Sequence, residues 1–357
     1  MSVYILNFLT LPIYNLIFKD KKKLVFVVTL QLFLILALRD TTVGMDLPNY
    51  SGGYSYIASL RLTELLPRLR LISEAKLVPP YAYESGYVVL NWILAKLGIG
   101  FQGFLVLHAA FCMTSFGLFI YRYSKLPWLS FSMLIALSYF EYSFGILRQV
   151  LAICILLFAV PMIEKKKPIP FFLLVLLAFT MHRVALIFAV LYLAYYITVT
   201  RLVYIGNAVF WVLLTVLSPW IFNVLIVRVL TALGKSSYTE SHFEWSHLMT
   251  MLLVFAVGAF LTLDFDTMKE KRNSILAWGF LLAFPIQILG MNNAVFARMV
   301  LIYLIFAIVF VPNVIADYKK KPILAEIGAY ALWMFLFLFM VFQFRSSAVV
   351  PYTTFFS

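Results

Sequence analysis

Charged residues are scarce in this sequence. Only 12% of the 357 residues are Asp, Glu, Lys or Arg, and 64% are hydrophobic, whereas soluble domains carry about 25% charged residues. So few charges cannot cover a soluble surface, and the composition therefore excludes an ordinary soluble protein. The apolar runs are continuous rather than alternating, which favours spanning helices over a membrane barrel of strands. We predict an all-α polytopic membrane protein.

Cysteine is also rare. Cys112 and Cys154 are the two cysteines, and both lie inside apolar runs. Buried cysteines of this kind behave as small core residues, so we predict neither a disulfide framework nor a metal site. The N-terminus has no basic stretch followed by a small-residue cleavage site, so we expect the first apolar run to be retained.

Several familiar catalytic motifs are missing. The sequence contains no Gly-rich phosphate loop with a Walker lysine, no GxSxG and no HExxH. These absences exclude an ATP-driven pump and a serine hydrolase with a known local motif. No cofactor is expected.

Twelve apolar runs dominate what is present, and basic clusters separate many of them. If all the basic clusters face the cytoplasm, twelve spans alternate without conflict and both termini face outward. This topology requires the short apolar stretch 86–97 to be interfacial or re-entrant, because a thirteenth span there would break the alternation of the later clusters. The runs are 3–18, 24–38, 101–121, 126–142, 147–163, 169–180, 183–198, 202–220, 247–263, 274–291, 295–311 and 323–343. The basic clusters are 21–23, 122–125, 165–167, 201, 269–272 and 319–321.

The predicted organisation is a single transmembrane domain, 1–357, with two long outer loops. Outer loop 1 is 39–85 and outer loop 2 is 221–246. Each contains a stretch that we interpret as an amphipathic helix on the membrane surface, 54–71 and 221–233.

Polar residues at the ends of the predicted spans are the functional candidates. Ionisable groups are expensive in a membrane, so each is a hypothesis for function. In the twelve-span topology they gather on the outer side, where arginine predominates, and the planar fork of arginine suits phosphate oxygens. The set is Arg39, Asp40, Asp46, Glu84, Glu141, Arg148, Gln149, His182, Arg183, Asn292, Asn293 and Arg298.

Each candidate also has a structural explanation. Arg39, Arg148 and Arg298 could anchor helix ends at the interface by extending their charges toward water. Asp46 could cap a turn, and Glu84 could be a negative charge favoured by the dipole at a helix N-terminus. His182 could be a hydrogen-bonded core residue. The functional interpretation depends on the joint placement of these residues.

Several motifs together resemble the EpsG-type bacterial polysaccharide polymerases, within the broad Wzy class of capsule, O-antigen and exopolysaccharide polymerases. The resemblance runs from the N-terminus to about residue 303. One departure is Arg183-Val184, where the family tends to have Ser before the Ala. The motifs are Tyr4-Ile5-Leu6, Arg39-x4-Gly44-x-Asp46-x3-Tyr50, Glu84-x-Gly86-Tyr87, Leu147-Arg148-Gln149-x2-Ala152, Met181-His182-Arg183-x-Ala185-Leu186 and Arg298-x4-Tyr303.

The resemblance implies a multi-pass protein of the bacterial inner (plasma) membrane with a GT-C-like fold and an active site facing the periplasm or exterior. The substrates would be oligosaccharide repeat units on undecaprenyl pyrophosphate, joined by en bloc glycosyl transfer. A flippase and a chain-length regulator of the same pathway are the expected partners.

In such a reaction an acceptor hydroxyl attacks the donor's anomeric carbon while a pyrophosphate leaves. The leaving group needs cationic donors, and the hydroxyl can use a base. His182 is our first choice for the base or hydroxyl ligand, Asp46 is its main rival, and Glu84 remains a further candidate. The pyrophosphate ligands would be Arg39, Arg148 and Arg298. Asp40 would position Arg39. We assign sugar contacts or positioning also to Glu84, Arg183, Tyr50, Gln149 and Tyr303.

Other functions stay open at this point. A flippase for the same lipid-linked sugars would also need arginines and about twelve spans, but its charges should lie near mid-membrane. A polysaccharide ligase or a membrane acyltransferase is a further alternative.

Overall fold

The computed structural model describes residues 1–70, 73–222, 224, 228, 247–291, 298–318, 322–345 and 347–356. These residues are helical, apart from loops and two isolated bridges between extended residues, so the all-α prediction is confirmed for them. They form two compact units. The first comprises Met1–Met162, Lys167–Leu186 and Ala329–Ser357, and the second comprises Ile163–Lys166 and Ile187–Gly328. The predicted single transmembrane domain stays a prediction.

The helices follow the apolar runs closely in most of the chain. Among the residues that the structure describes, three segments are 3-10 helices, Leu66–Arg68, Arg183–Tyr195 and Phe265–Lys269. The α-helices in the described residues are α1 (Ser2–Ile17), α2 (Lys21–Ala37), α3 (Leu47–Ser59), α4 (Leu62–Leu65), α5 (Ser85–Lys96), α6 (Phe101–Tyr123), α7 (Pro127–Ala136), α8 (Tyr139–Gly145), α9 (Leu147–Leu157), α10 (Val160–Glu164), α11 (Pro168–Met181), α12 (Arg201–Ile221), α13 (His247–Thr262), α14 (Lys271–Gly290), α15 (Leu301–Leu304), α16 (Ala307–Ala316) and α17 (Pro322–Phe344).

Five helical stretches in the described part of the chain are long and apolar enough to cross a membrane. Further apolar helices of 10–17 residues accompany them. The chain is therefore a helical membrane protein by length and composition, while the count of twelve spans stays a prediction. The five stretches are Phe101–Tyr123, Leu147–Glu164, Arg201–Ile221, Lys271–Gly290 and Pro322–Phe344.

The predicted run 126–142 is not a continuous helix. It is divided into α7 and α8 because Ser138 adopts a left-handed backbone conformation, with φ of 63°. A non-glycine residue in this region interrupts a right-handed helix. The Ser138 hydroxyl donates to Gln343 Oε1 at 3.1 Å, which ties the break to the last helix of the first unit.

The predicted surface helix 54–71 is wrong in its bounds. The helix in this loop, α3, begins at Leu47 instead, with Pro48 in its first turn, where a proline is preorganised for a helix start. It ends because Leu60 is extended, with ψ of 137°. The predicted helix 221–233 lies almost wholly outside the described residues.

Helix α5 agrees well with the predicted stretch 86–97. Its 12 residues extend about 18 Å, which is short of the roughly 30 Å hydrocarbon core of a bilayer. It packs against α3 and α11. The approach to α11 is so close that a Cβ at Gly86 would lie 2.8 Å from the Thr180 carbonyl oxygen. Its interfacial or re-entrant placement stays a prediction.

The C-terminal segment (347–356) pairs with the chain just after α2. The Asp40 N–H donates to Thr353 O at 2.9 Å, and the Phe355 N–H donates to Leu38 O at 3.1 Å. The Tyr352 hydroxyl donates to Ile35 O at 2.8 Å. Residues 38–40 are therefore covered by a segment more than 300 positions later in the sequence.

The second unit is built around α14, which packs against α12, α15 and α16. Its contact with α12 includes the parallel rings of Trp211 and Phe284, whose centroids are 3.8 Å apart. This unit is dominated by apolar packing of this kind.

Candidate active site

A buried carboxylate organises the polar side chains of the first unit. Glu84 caps the N-terminus of α5 and is only 5% exposed. Its Oε2 accepts a hydrogen bond from Arg148 Nη1 at 2.5 Å, and its Oε1 accepts one from the backbone N–H of Arg183 at 3.2 Å. We call Glu84, Arg148, Arg183 and Glu74, with Tyr50 and Tyr83, the Glu84 cluster.

Arg148 lies in the first turn of α9, and its guanidinium contacts several groups. Besides Glu84, its Nη1 donates to Ala82 O at 3.0 Å, and its Nε donates to the Tyr50 hydroxyl at 3.4 Å. Its guanidinium carbon lies 5.0 Å from the centre of the Tyr83 ring, within the range of a cation–π interaction. The side chain keeps 20% of its surface exposed, so the group is oriented but still accessible.

The second ion pair of the cluster joins Arg183 to Glu74 at 2.5 Å. Glu74 lies in outer loop 1 and pairs with Glu84 through an isolated antiparallel bridge. Glu74 is not among the candidates selected from the sequence. Loop residues have no periodicity, so the sequence offers no signal for this partner.

Two tyrosines border the cluster. The rings of Tyr50 and Tyr83 are stacked with centroids 5.7 Å apart, and the Tyr83 hydroxyl donates to Asn49 O at 2.8 Å. Burial raises the pKa of the Tyr50 phenol, and the charge of Arg148 opposes that shift. Both phenols therefore remain neutral hydrogen-bonding groups at physiological pH.

Asp46 reaches the same region from the start of α3. Its carboxylate is exposed, and no described residue hydrogen-bonds to it. Its negative charge contributes to the raised pKa of Tyr50, which places it in the electrostatic field of the cluster. The loop before it requires glycine, because Gly44 has φ of 137° and a Cβ there would lie 2.5 Å from the Phe144 carbonyl oxygen.

His182 lies between α11 and the 3-10 helix that begins at Arg183. The backbone N–H of Val184 donates to His182 Nδ1 at 3.4 Å, a long hydrogen bond. In the neutral imidazole this arrangement places the proton on Nε2. Nε2 is then a donor, which suits orientation of a hydroxyl better than removal of its proton.

A pocket opens beside Glu84. It is partly open to solvent, and its space, with that solvent included, measures about 250 Å³. Its lining combines two arginines, one carboxylate and three hydroxyl groups, a composition suited to a polar ligand. The lining residues are Arg70, Ser73, Glu84, Ser85, Phe179, Thr180 and Arg183.

The family model that matches this chain is that of the EpsG family, and the match covers residues 3–354. The chain belongs to the EpsG family. Membership points to a polysaccharide polymerase, a polymerase-type glycosyltransferase of the membrane. No curated protein and no solved structure matches this EpsG-family chain.

Arg39 of this EpsG-family chain has a different environment. It is 0% exposed, its Nη1 donates to Leu36 O, and it lies over the ring of Phe144 at 5.2 Å. Its Nε and Nη2 have no hydrogen-bond partner in the described part of the chain. The C-terminal segment covers it in this conformation, and its role as a pyrophosphate ligand stays a prediction.

The Asp40 carboxylate does not pair with the Arg39 guanidinium, contrary to the positioning role expected from the sequence. Its Oδ1 accepts hydrogen bonds from the N–H and the hydroxyl of Thr42, at 2.9 and 2.7 Å. These hydrogen bonds hold the pKa of Asp40 below its usual range. Asp40 therefore shapes the turn that leads to Gly44.

The remaining site candidates in the described residues are Gln149, Arg298 and Tyr303. Gln149 is buried in α9. In the second unit, Arg298 is exposed, whereas Tyr303 is buried and its hydroxyl donates to Ile187 O at 2.7 Å. Their roles as substrate ligands stay predictions, and Asn292 and Asn293 lie outside the described residues.

Proposed function

We propose that this chain joins oligosaccharide repeat units carried on undecaprenyl pyrophosphate, by en bloc glycosyl transfer at the outer face of the bacterial inner membrane. The observation that carries the proposal is the Glu84 cluster, in which Glu84 holds Arg148 and Arg183 at the adjoining ends of three helical segments. EpsG membership supplies the reaction class.

The proposed reaction needs no ATP, because the phosphoanhydride-activated lipid supplies the driving force. An acceptor hydroxyl oxygen bonds to the anomeric carbon of the donor. The bond from that carbon to the diphosphate oxygen breaks, and undecaprenyl pyrophosphate leaves with the bonding electrons. The hydroxyl proton passes to a base, which returns it to solvent.

Four residues have proposed parts in this step. Asp46 is the favoured base, because its carboxylate is exposed and makes no hydrogen bond with the described residues, whereas both Glu84 oxygens already accept hydrogen bonds. His182, the first choice from the sequence, would orient the acceptor hydroxyl. Arg148 would stabilise the charge that develops on the leaving diphosphate, and Glu84 would fix its orientation.

The finer architecture belongs to the same proposal. We infer twelve spans, a GT-C-like arrangement, and the Glu84 cluster on the outer side with both termini. A flippase that delivers the lipid-linked unit and a chain-length regulator are the proposed partners.

The test is a reconstitution. Purified protein is mixed with a synthetic undecaprenyl-pyrophosphate repeat unit of the host polysaccharide, without ATP, and the products are separated by size. A ladder at multiples of the repeat unit is the expected result. The absence of a ladder, together with carrier-dependent movement of the same lipid across a liposome bilayer, would replace the polymerase with a flippase.

A further inference from the structure

The pocket beside Glu84 has an excess of positive charge that the proposed catalytic roles leave unexplained. We propose that this pocket binds the diphosphate of the lipid-linked donor, with Arg70 and Arg183 as its cationic ligands. The inference rests on the proposed function for the source of the diphosphate. Arg70 is a new assignment, since it lies outside every motif that the sequence analysis selected.

Arg70 is fixed at the start of α5 through its backbone. Its N–H donates to the Ser85 hydroxyl oxygen at 2.8 Å, and that hydroxyl donates back to Arg70 O at 2.6 Å. This reciprocal pair attaches the loop to the first residue of α5. It therefore fixes Arg70 at the wall of the pocket, although the chain around Arg70 is irregular.

The Arg70 charge has no carboxylate partner among the described residues. Its Nη1 donates to two backbone carbonyl oxygens, Pro67 O at 2.9 Å and Leu69 O at 2.7 Å. These bonds orient the guanidinium without neutralising it. A half-buried cation of this kind at the wall of a pocket is the feature that an anionic ligand would compensate.

The charges around the pocket leave an excess of one cation. Arg183 donates to Glu74 through Nη2, and its Nε lies 3.9 Å from Glu84 Oε1. Glu84 also neutralises Arg148. Three arginines thus face two glutamates, and the unmatched charge is that of Arg70. A neutral sugar would leave this charge uncompensated, whereas a diphosphate would pair with it.

The lining also supplies a hydroxyl group. The Ser73 hydroxyl lines the pocket and can supplement the two guanidinium groups at phosphate oxygens.

Direct binding tests this assignment without the need for polymer. Inorganic diphosphate is titrated calorimetrically into purified protein in nanodiscs, for the wild type, Arg70→Ala and Arg68→Ala. Arg68 is a matched control in the same loop, because its Nε and Nη1 donate to the carbonyl oxygens of Glu64 and Lys76 and it does not line the pocket. We expect Arg70→Ala to weaken binding at least about tenfold, and Arg68→Ala to bind like the wild type.

A second pair of probes identifies the source of the diphosphate. Farnesyl diphosphate that binds more tightly than inorganic diphosphate, with the same dependence on Arg70, would assign the pocket to a lipid carrier. Equal affinities with that dependence would assign it to a free diphosphate and would overturn the lipid-donor assignment. Thermal unfolding of each variant checks the fold, and Arg70→Gln replaces Arg70→Ala if the alanine variant does not fold.

Two results would overturn the inference altogether. One is no binding of either diphosphate by the wild type up to about 1 mM, and the other is an equal loss in Arg70→Ala and Arg68→Ala. A normal polymer ladder from Arg70→Ala would also reject it while leaving the polymerase proposal intact. Conversely, Arg70-dependent binding of diphosphate without a ladder from the wild type would uphold the pocket and reject the polymerase.

Discussion

Arg39 and Arg148 both lie at the ends of apolar helices in the first unit, but their surroundings are opposite. Arg39 is fully buried, lies over an aromatic ring and has two nitrogens without hydrogen-bond partners among the described residues. Arg148 is partly exposed and is matched by Glu84 at 2.5 Å. Arg148 also belongs to a cluster of polar side chains that adjoins a pocket.

The two arginines differ in how the cost of burying their charge is compensated. An arginine that is buried without a carboxylate loses its hydration and regains little through the ring and one carbonyl oxygen. An arginine that is paired with a carboxylate is fixed in orientation and can still act on a ligand. The environment of Arg148 therefore leaves it able to contact a ligand, whereas Arg39 is enclosed by the protein.

The largest effect is expected on polymer formation when Arg148 is removed. Arg148→Ala should reduce the polymer at least about 100-fold, because the leaving group loses a preorganised cationic donor. Arg148→Lys should recover little of it, since an ammonium cannot reproduce the planar fork. Polymer is measured by size separation from membranes with equal amounts of protein. Long polymer at wild-type levels would remove Arg148 from the mechanism.

The two arginines should also differ in folding stability when each is replaced by methionine. Arg148→Met removes the closer of the two ion-pair partners of the buried Glu84 and should cost up to about 3 kcal/mol of unfolding free energy. Arg39→Met removes no carboxylate pair and should be neutral or stabilising. Denaturant unfolding in the same detergent compares the two variants. Equal losses would show that Arg39 has a structural partner equivalent to Glu84.

A smaller effect is expected where the C-terminal segment covers Arg39. Tyr352→Phe removes the hydrogen bond to Ile35 O and should cost about 1 kcal/mol. Tyr81→Phe is the control, because the Tyr81 hydroxyl makes no hydrogen bond with the described residues. Thermal unfolding should distinguish the two by a few degrees. An unchanged melting temperature for Tyr352→Phe would mean that this contact does not hold the segment in place.

The smallest effect is expected on the unfolding free energy at alkaline pH. It arises from Tyr83, whose ring lies beside Arg148. Burial raises the pKa of the Tyr83 phenol above its usual value, so the unfolded chain releases this proton first. The stabilising contribution is then complete below about pH 10 and is lost as the pH rises through the folded pKa. Unfolding midpoints from pH 8 to pH 11 should decline less in Tyr83→Phe than in the wild type.

Local sequence patterns predicted many helix bounds well. α6, α11 and α17 begin and end within two residues of their apolar runs, because composition and periodicity determine where such helices stop. The meeting of Glu84, Arg148 and Arg183 was also anticipated in outline, since each marks a helix end on one predicted side of the membrane. Their direct pairing was not predicted.

The missed features depend on contacts that no local pattern encodes. Glu74 and Arg70 lie in an irregular loop, and their positions follow from the bridge to Glu84 and the hydrogen bonds of Ser85. The burial of Arg39 follows from the C-terminal segment. A charge beside an apolar helix has the same local sequence pattern whether it faces a substrate or lies beneath another part of the chain.

The pairing of the C-terminal segment with residues 38–40 has a consequence for the order of events during synthesis. Ile35 and Tyr352 are 317 positions apart, so all the residues between them are translated before their hydrogen bond can form. The loop after α2 therefore lacks these backbone partners while the intervening helices are made. A chain interrupted before Tyr352 would lack the segment that encloses Arg39 and would expose that guanidinium. Closure over Arg39 therefore follows the synthesis of every helix between α2 and this segment.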